Sequence, residues 1–448
     1  MGFRDENLDL HIYFHYIYNI LNNMLLFLCV IRDLSFVDVR GYSKPLYIYE
    51  KGEDVKMGKR IAASIIIVLI SMALVACGVF GDTGGEVNIG YTGPLSGGAA
   101  FYGKDVLNGI TMAVNQINSS GGITVNGKKV KLKVVPLDDK YLPNEAATNA
   151  KRLVGQYQTP IVFCPHSGGV LAIQGFNAKQ QPNFILAAYS SEPLILQQNN
   201  PLTTMIPPRY DAYFKPFAQI EMQKFGKKLG LIPTTTAYGN KWKEGFTKVW
   251  KELGGQVLSD NSVNYNSTTD FSNVVSKALS EHPDVLFVGG PSQPTALVIK
   301  AARDQGFKGG FVVMDQAKFE NMAGIVPQNM LNGAVGVMPL VNYPGPGTTQ
   351  FVDAFKKEFG QDKVPNSEIA QNYQAMWVFA EAMKLAGTTT DVKSIMAKMP
   401  EAIKTLPAQY KPYGVTDIST TGHLKGPVIA AFVKDGKYTS LNIPSLDR

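Results

Sequence analysis

Short apolar strands alternate with amphipathic helices from Glu86 to Met314, the chain is longer than one core can serve, and a Pro207-Pro208 pair interrupts the alternation midway. Together these predict an α/β protein of two doubly wound lobes, each a largely parallel sheet covered by helices on both faces. A single core stops growing at about 250–300 residues, and the chain from Cys77 onward exceeds that.

Val87-Asn88-Ile89-Gly90-Tyr91 reads as the first strand, and Val106, Ile110, Ala113, Val114 and Ile117 recur at helical spacing behind it. The polar residues and paired glycines of 118–122 stop that helix. Asn126-Gly127 beside Lys128, Lys129, Lys131 and Lys133 reads as a solvated hairpin, and 130–135 alternates as a strand. A helix over Pro143–Tyr157, a continuous apolar strand over Ile161–Cys164, a helix over 167–179 and a strand over 184–188 complete the first unit. Proline suits neither a helix interior nor a central strand, so the segment 205–208 marks a crossover. In the second unit, helices over 211–225, 241–253, 271–280 and 295–305 alternate with strands over 229–232, 256–258, 285–288 and 311–314. Beyond the apolar run 334–338 and Pro344-Gly345-Pro346-Gly347 come helices over 349–359 and 369–385. The strands 428–433 and 438–441 around Asp435-Gly436-Lys437 read as a hairpin.

The leader has its own order. Met57-Gly58-Lys59-Arg60 is basic, 61–75 is apolar, and Leu74-Val75-Ala76-Cys77 ends in small residues and a cysteine. This is the pattern a signal peptidase reads, and its cysteine resembles the bacterial lipobox. The expectation is a signal peptide over 57–76, a lipid on Cys77 and a Gly-rich tether over 77–85. A transmembrane anchor is the alternative, but 61–75 falls short of the roughly 20 residues a bilayer requires. Because signal peptides act from the amino terminus, 1–56 is expected to be a mis-assigned upstream extension, with translation starting at Met57. The competing reading, a membrane segment near 17–30, is interrupted by Asn19, Asn22 and Asn23.

The formal net charge is +7, yet Lys and Arg are spread along helical faces outside the Lys128–Lys133 hairpin, which argues against nucleic acid as a partner. Three cysteines occur, Cys29, Cys77 and Cys164. With Cys77 acylated, no internal disulfide is left to the mature chain, and stability rests on core size. His166, His282 and His423 lack metal-ligand spacing, Ser167 sits in no G-x-S-x-G elbow, and Gly90 to Gly98 match neither a phosphate loop nor a dinucleotide fingerprint. No catalytic constellation, metal or cofactor is implied.

Ile89-Gly90-Tyr91-Thr92-Gly93-Pro94-Leu95-Ser96-Gly97, Tyr102-Gly103, Ile117-Asn118, Gly121-Gly122-Ile123, Asp138-Asp139, Pro182, Tyr238-Gly239, Asp270-Phe271 and Gly289-Gly290 follow in an order and spacing that resemble the branched-chain amino acid binding proteins of ABC importers. The resemblance runs from Glu86 to Leu441. It implies a type I periplasmic-binding fold: two Rossmann-like lobes joined by three crossovers near 206–208, 337–340 and 422–427, closing on a ligand between them. The lobes would be 86–206 plus 338–424 and 207–337 plus 425–448.

Such sheets gather ligands beyond the carboxyl ends of strands, where helix N-termini favour a carboxylate. The segments Pro165-His166-Ser167-Gly168-Gly169 and Ala188-Tyr189-Ser190-Ser191 match those that grip an α-carboxylate in the family, with Ser167 and Ser190 as the principal candidates. Tyr102 matches a tyrosine near the ligand, and Tyr238 an aromatic that closes over it. Helix capping, surface exposure and packing on its own helix are the competing roles for the serines, Tyr102 and Tyr238 respectively. Where the family places an acid for the ligand ammonium, this chain has Asp315-Gln316, with Gln316 on the acidic position. Either Asp315 supplies the charge or the ligand is not a simple amino acid. At the Gly289-Gly290 turn Pro291 replaces an aromatic. Tyr141 and His166 stand where relatives carry a disulfide, which opens His166 to ligand contact or to a hydrogen-bonding role at its turn, with modest pH sensitivity in either case.

The implied function is an extracytoplasmic, lipid-anchored receptor, monomeric, at the periplasm or cell surface. It would take a small amino acid or related carboxylate or amide and deliver it to the ABC permease subunits. A sensing module of the same fold is the alternative. No apolar helix follows the final hairpin before Arg448, which favours transport in this reading.

Overall fold

The computed structural model describes residues 85–444 and 446. The upstream extension, signal peptide, Cys77 and all but the last residue of the tether lie outside the described residues. Strands β1 (Glu86–Gly93), β2 (Ile123–Val125), β3 (Lys128–Asp138), β4 (Ile161–Cys164), β5 (Ile185–Ala188) and β6 (Thr203–Met205) form a six-stranded sheet in the order β2-β3-β1-β4-β5-β6. Only the β2–β3 hairpin is antiparallel. Its Asn126 and Gly127 both take positive φ, the left-handed pair that a two-residue hairpin turn requires. Helices α1 (Ala100–Ser119), α2 (Pro143–Tyr157), α3 (Ser167–Gln174) and α4 (Leu194–Gln197) connect these strands.

The second sheet contains β7 (Lys228–Pro233), β8 (Gln256–Asp260), β9 (Val285–Gly289), β10 (Gly310–Val313) and β11 (Ala334–Val337), all parallel. Helices α5 (Asp211–Lys224), α6 (Ala237–Glu252), α7 (Ser272–Leu279), α8 (Ser292–Asp304) and α9 (Phe319–Met322) alternate with them. Three further helices follow, α10 (Thr348–Phe359), α11 (Ser367–Ala386) and α12 (Val392–Thr405), then a small ladder of β12 (Asp417–Ile418) and β13 (Leu424–Lys425). The hairpin β14 (Ile429–Lys434) and β15 (Lys437–Asn442) completes the order β15-β14-β11-β10-β9-β7-β8.

β4, β5, β9 and β10 are buried along their whole length. That is the property of parallel strands covered on both faces, and it explains their unbroken apolar sequences. In the second lobe Trp242 and Phe246 stack on Phe287 of β9 at 5.4 and 5.2 Å between ring centroids. Each such side chain contributes roughly 1.5–3 kcal/mol through burial. α11 packs along α1. A Cβ on Gly109 would lie 2.2 Å from the Ile369 carbonyl oxygen, so only glycine lets these two helices approach so closely.

The chain passes between the sheets after β6, after β11 and again before β14. Two of these passages are tied where the Met205 N–H donates to the Gly422 carbonyl at 2.9 Å. The architecture is the two-lobed, three-crossover α/β fold expected from the sequence.

Besides short added elements such as α4, α9 and the β12–β13 ladder, the structure departs from the expected elements in three places. α3 ends at Gln174 rather than near Lys179, because Asn177 turns inward and donates to the carbonyls of Phe184 and Leu202, both at 3.0 Å. β6 replaces part of the expected crossover, its Thr203 and Thr204 held by pairing with Leu186 and Ala187. α12 was not foreseen; it runs through Pro400, a residue ordinarily disfavoured inside a helix.

Candidate ligand-binding cleft

A cavity lies between the two sheets, at the carboxyl ends of β4, β5 and β10. Its first-lobe wall includes Tyr102, Tyr141, His166, Ser167, Tyr189, Ser190, Ser367 and Gln371, and its second-lobe wall Tyr213, Tyr238, Asp315, Gln316 and Lys318. Pro207, Pro208 and Val337 floor it at the hinge. About 30 Å³ is open to the centres of water molecules, room for roughly two waters.

On the first-lobe side β4 ends at Cys164 and α3 begins at Ser167, and β5 ends at Ala188 just before Ser190. These turns bring the two serine hydroxyls within 2.7 Å of each other. The opening turn of α3 has no intrahelical acceptor for its N–H groups. Among the described residues the amides of Ser190 and Ser191 also have no acceptor. The two bonded hydroxyls and the residues carrying the unbonded Ser190 and Ser191 amides thus line the same wall of the cavity, polar groups suited to a carboxylate. Tyr102, on α1, donates to the Pro165 carbonyl and packs its ring 6.3 Å from that of Tyr189.

On the second-lobe side Asp315 follows β10. Its Oδ1 accepts from the Tyr238 hydroxyl and, at 2.9 Å, from Trp242 Nε1, while Oδ2 takes no hydrogen bond from the described residues. Burial pushes the Tyr238 hydroxyl well above its ordinary pKa, and the neighbouring Asp315 carboxylate adds to the rise, so Tyr238 remains a donor at neutral pH. The main-chain N–H of Gln316 donates to Tyr238 Oη at 3.2 Å. Its side-chain Nε2 reaches across the cleft to Tyr141 Oη at 3.1 Å, while its Oε1 is buried without a partner. Asn321 Nδ2 likewise crosses to Asp105 Oδ2 at 3.2 Å.

Behind the first-lobe wall, His166 caps α3. Its Nδ1 accepts from Gly169 N at 3.1 Å, which leaves Nε2 protonated to donate to Asp139 Oδ2 at 3.0 Å. The Asp139 carboxylate also accepts from Tyr141 N and from Thr92 Oγ1, at 2.9 and 3.1 Å. The Tyr141 ring stacks on His166 at 4.7 Å. Where the resemblance implied a disulfide in relatives, this chain thus joins the same two positions by a stacked pair. Both nitrogens of His166 are spent inside the protein, so only its ring borders the cleft. The Asp139, Cys164 and His166 donor atoms lie within 4.8 Å of one another, but the carboxylate and imidazole are committed to each other and burial pushes the Cys164 thiol up, which disfavours a metal.

Comparison with known proteins decides the family. The model of the periplasmic binding protein family matches residues 86–437. The chain belongs to that family. Leu/Ile/Val-binding protein homolog 7 of Brucella suis is 25% identical over 338 residues, covering 71% of this chain and 81% of that protein. The branched-chain amino acid transporter substrate binding protein of Streptococcus pneumoniae, solved with isoleucine, superposes with a TM-score of 0.64 at 21% identity, covering 80% of this chain and 99% of the other. A Rhodopseudomonas palustris solute binding protein in complex with benzoate gives a TM-score of 0.69 at 17% identity, covering 81% and 98%. These structural likenesses establish the fold, the type I arrangement of two Rossmann-like lobes.

Of the nine ligand-site residues expected for this periplasmic binding protein, eight border one cavity: Tyr102, His166, Ser167, Tyr189, Ser190, Tyr238, Asp315 and Gln316. Ala188 does not; it is fully buried in β5 opposite Cys164, and its carbonyl accepts from Ile206 N at 2.9 Å. Several lining residues of this periplasmic binding protein had no sequence signal of their own, among them Tyr213, Lys318 and Tyr413. Ser367 and Gln371 stand four apart at the start of α11, hence on one helical face.

Proposed function

We propose that this protein is the extracytoplasmic solute receptor of an ABC importer, which captures a small amino acid or related carboxylate or amide by closing its lobes and hands it to a permease. The observation that carries this is the polarity of the cleft. Paired hydroxyls and free amides on the first lobe face an unpaired carboxylate oxygen of Asp315 on the second, the complement of a zwitterion. The ligand would join Ser167 and Ser190 first, after which Tyr238, Asp315 and Gln316 swing in. Bodies 86–206 plus 338–424 and 207–337 plus 425–448 would move about the hinge. No bond of the solute is made or broken, consistent with a family of binding proteins. A lipid on Cys77 and a monomeric state belong to the same proposal, and the mass of the mature protein tests the first.

The experiment is calorimetric. Ser167→Ala with Ser190→Ala should weaken ligand binding by roughly tenfold or more, the loss of one or two net hydrogen bonds, with the melting temperature of the unliganded protein nearly unchanged. Equal affinity in the double variant would refute the assignment.

A further inference from the structure

We infer that the cleft selects a solute whose far end carries N–H or O–H donors, of the carboxamide or urea kind, over a branched aliphatic amino acid; this rests on the cleft being the ligand site. Three polar atoms on its walls are buried without a partner: Gln316 Oε1, Gln371 Oε1 and Ser367 Oγ. They come from both lobes, Gln316 from the turn after β10, Ser367 and Gln371 from the first two turns of α11. Apart from aromatic rings, the aliphatic lining is Val337 and three prolines, with no leucine, isoleucine or methionine. A leucine or isoleucine side chain placed here would keep the orphaned oxygens from water and offer them nothing. A buried acceptor left unmade is costly, and a site built to hydrogen-bond a ligand group rejects the analogue lacking it far more strongly than an apolar pocket rejects a misfit. A solute with N–H groups at its far end satisfies Gln316 and Gln371 together, while Asp315 remains available for an ammonium.

Several hydroxyls of the cleft are already engaged. Tyr102 donates to Pro165, Tyr238 to Asp315, and Tyr141 accepts from Gln316. The orphaned atoms are therefore the ones that distinguish ligands.

The test is titration calorimetry on the purified protein with glutamine, asparagine, acetamide and urea against leucine and isoleucine. At least one of the first four should bind about tenfold or more tightly than either aliphatic amino acid. Gln371→Leu should weaken that solute about tenfold and strengthen leucine, with Gln316→Leu as a second variant should the first fail to fold. Leucine or isoleucine binding the unaltered protein more tightly than all four overturns the inference while leaving the receptor reading intact. Binding of a preferred solute that survives Ser167→Ala with Ser190→Ala overturns the cleft as its site, and the inference with it.

Discussion

Two buried polar clusters adjoin at Tyr141, one at the ends of β3 and β4 and one in the cleft, and they differ in one respect. Around Asp139 the accounts close: the carboxylate accepts from His166, Thr92 and Tyr141, and His166 also takes the Gly169 amide. In the cleft, Gln316, Gln371 and Ser367 keep atoms without partners, and Asp315 keeps an oxygen. Buried polar groups are normally satisfied, so the first cluster reads as part of the scaffold and the second as a place prepared for something else. The contrast separates adjacent residues, His166 from Ser167.

The sharpest way to break this contrast is Asp139→Ala. It strands the His166 Nε2–H, the Tyr141 amide and the Thr92 hydroxyl in a dry interior, and its expected cost is about 3 kcal/mol or more of folding stability. Denaturant unfolding measures it. A loss below about 1 kcal/mol would mean the cluster is not structural. Asp315→Asn probes the other side. The amide keeps an oxygen for Tyr238 and Trp242 but removes the charge, so unfolding should shift little. Affinity for an amine-bearing ligand should fall about a hundredfold, near 2.7 kcal/mol. Unchanged affinity by calorimetry would assign the ammonium contact elsewhere.

A milder effect comes from carboxyls near the lobe interface. Burial raises Asp105 to about 6 and Glu320 to about 7, and the hydrogen bonds from Asn366 and Asn321 only partly offset this for Asp105. Glu368, close by, is also pushed up by burial, and Lys318 Nζ, 4.0 Å from it, is the facing cation. Between about pH 4 and 7 the folded protein holds protons the unfolded chain has released, so stability falls as pH rises through that window. Asp105→Asn and Glu320→Gln should each reduce the fall in stability across this window by about 1 to 2 kcal/mol. An unaltered slope in thermal melts across this range would remove both carboxyls from the account.

How much of this was legible in the sequence follows the range of the forces involved. β4, β5, β9 and β10 announce themselves because a strand covered on both faces must be apolar throughout, and the turns after β4, β5 and β10 follow from strand–helix alternation. That logic marked the turns that hold Ser167, Ser190 and Asp315, and the family resemblance singled out those residues within them. β6 was not legible because Thr203 and Thr204 have no apolar pattern and depend on pairing with β5. The end of α3 depends on what Asn177 finds in space. Gln371 lies some two hundred residues from Ser167 in the chain and reaches the cleft only because α11 packs against α1. His166 was placed at its turn correctly, but its second partner, Asp139, is a contact that only the fold provides.

The gentlest probe sits where the two clusters touch. Tyr141 belongs to both: its amide and its ring serve the Asp139 cluster, and its hydroxyl accepts from Gln316 across the cleft. Tyr141→Phe keeps the stack on His166 and the amide bond while deleting the one hydrogen bond that spans the lobes at this point. Stability should stay within about 0.5 kcal/mol, whereas ligand affinity should drop about fivefold, the worth of one net hydrogen bond near 1 kcal/mol. The freed Gln316 amide also gains donors for a ligand, so a solute with a carbonyl at its far end should lose less than one with only N–H groups. Were unfolding to shift and binding not, Tyr141 would belong wholly to the scaffold, and the boundary between the two clusters would lie on the cleft side of its hydroxyl.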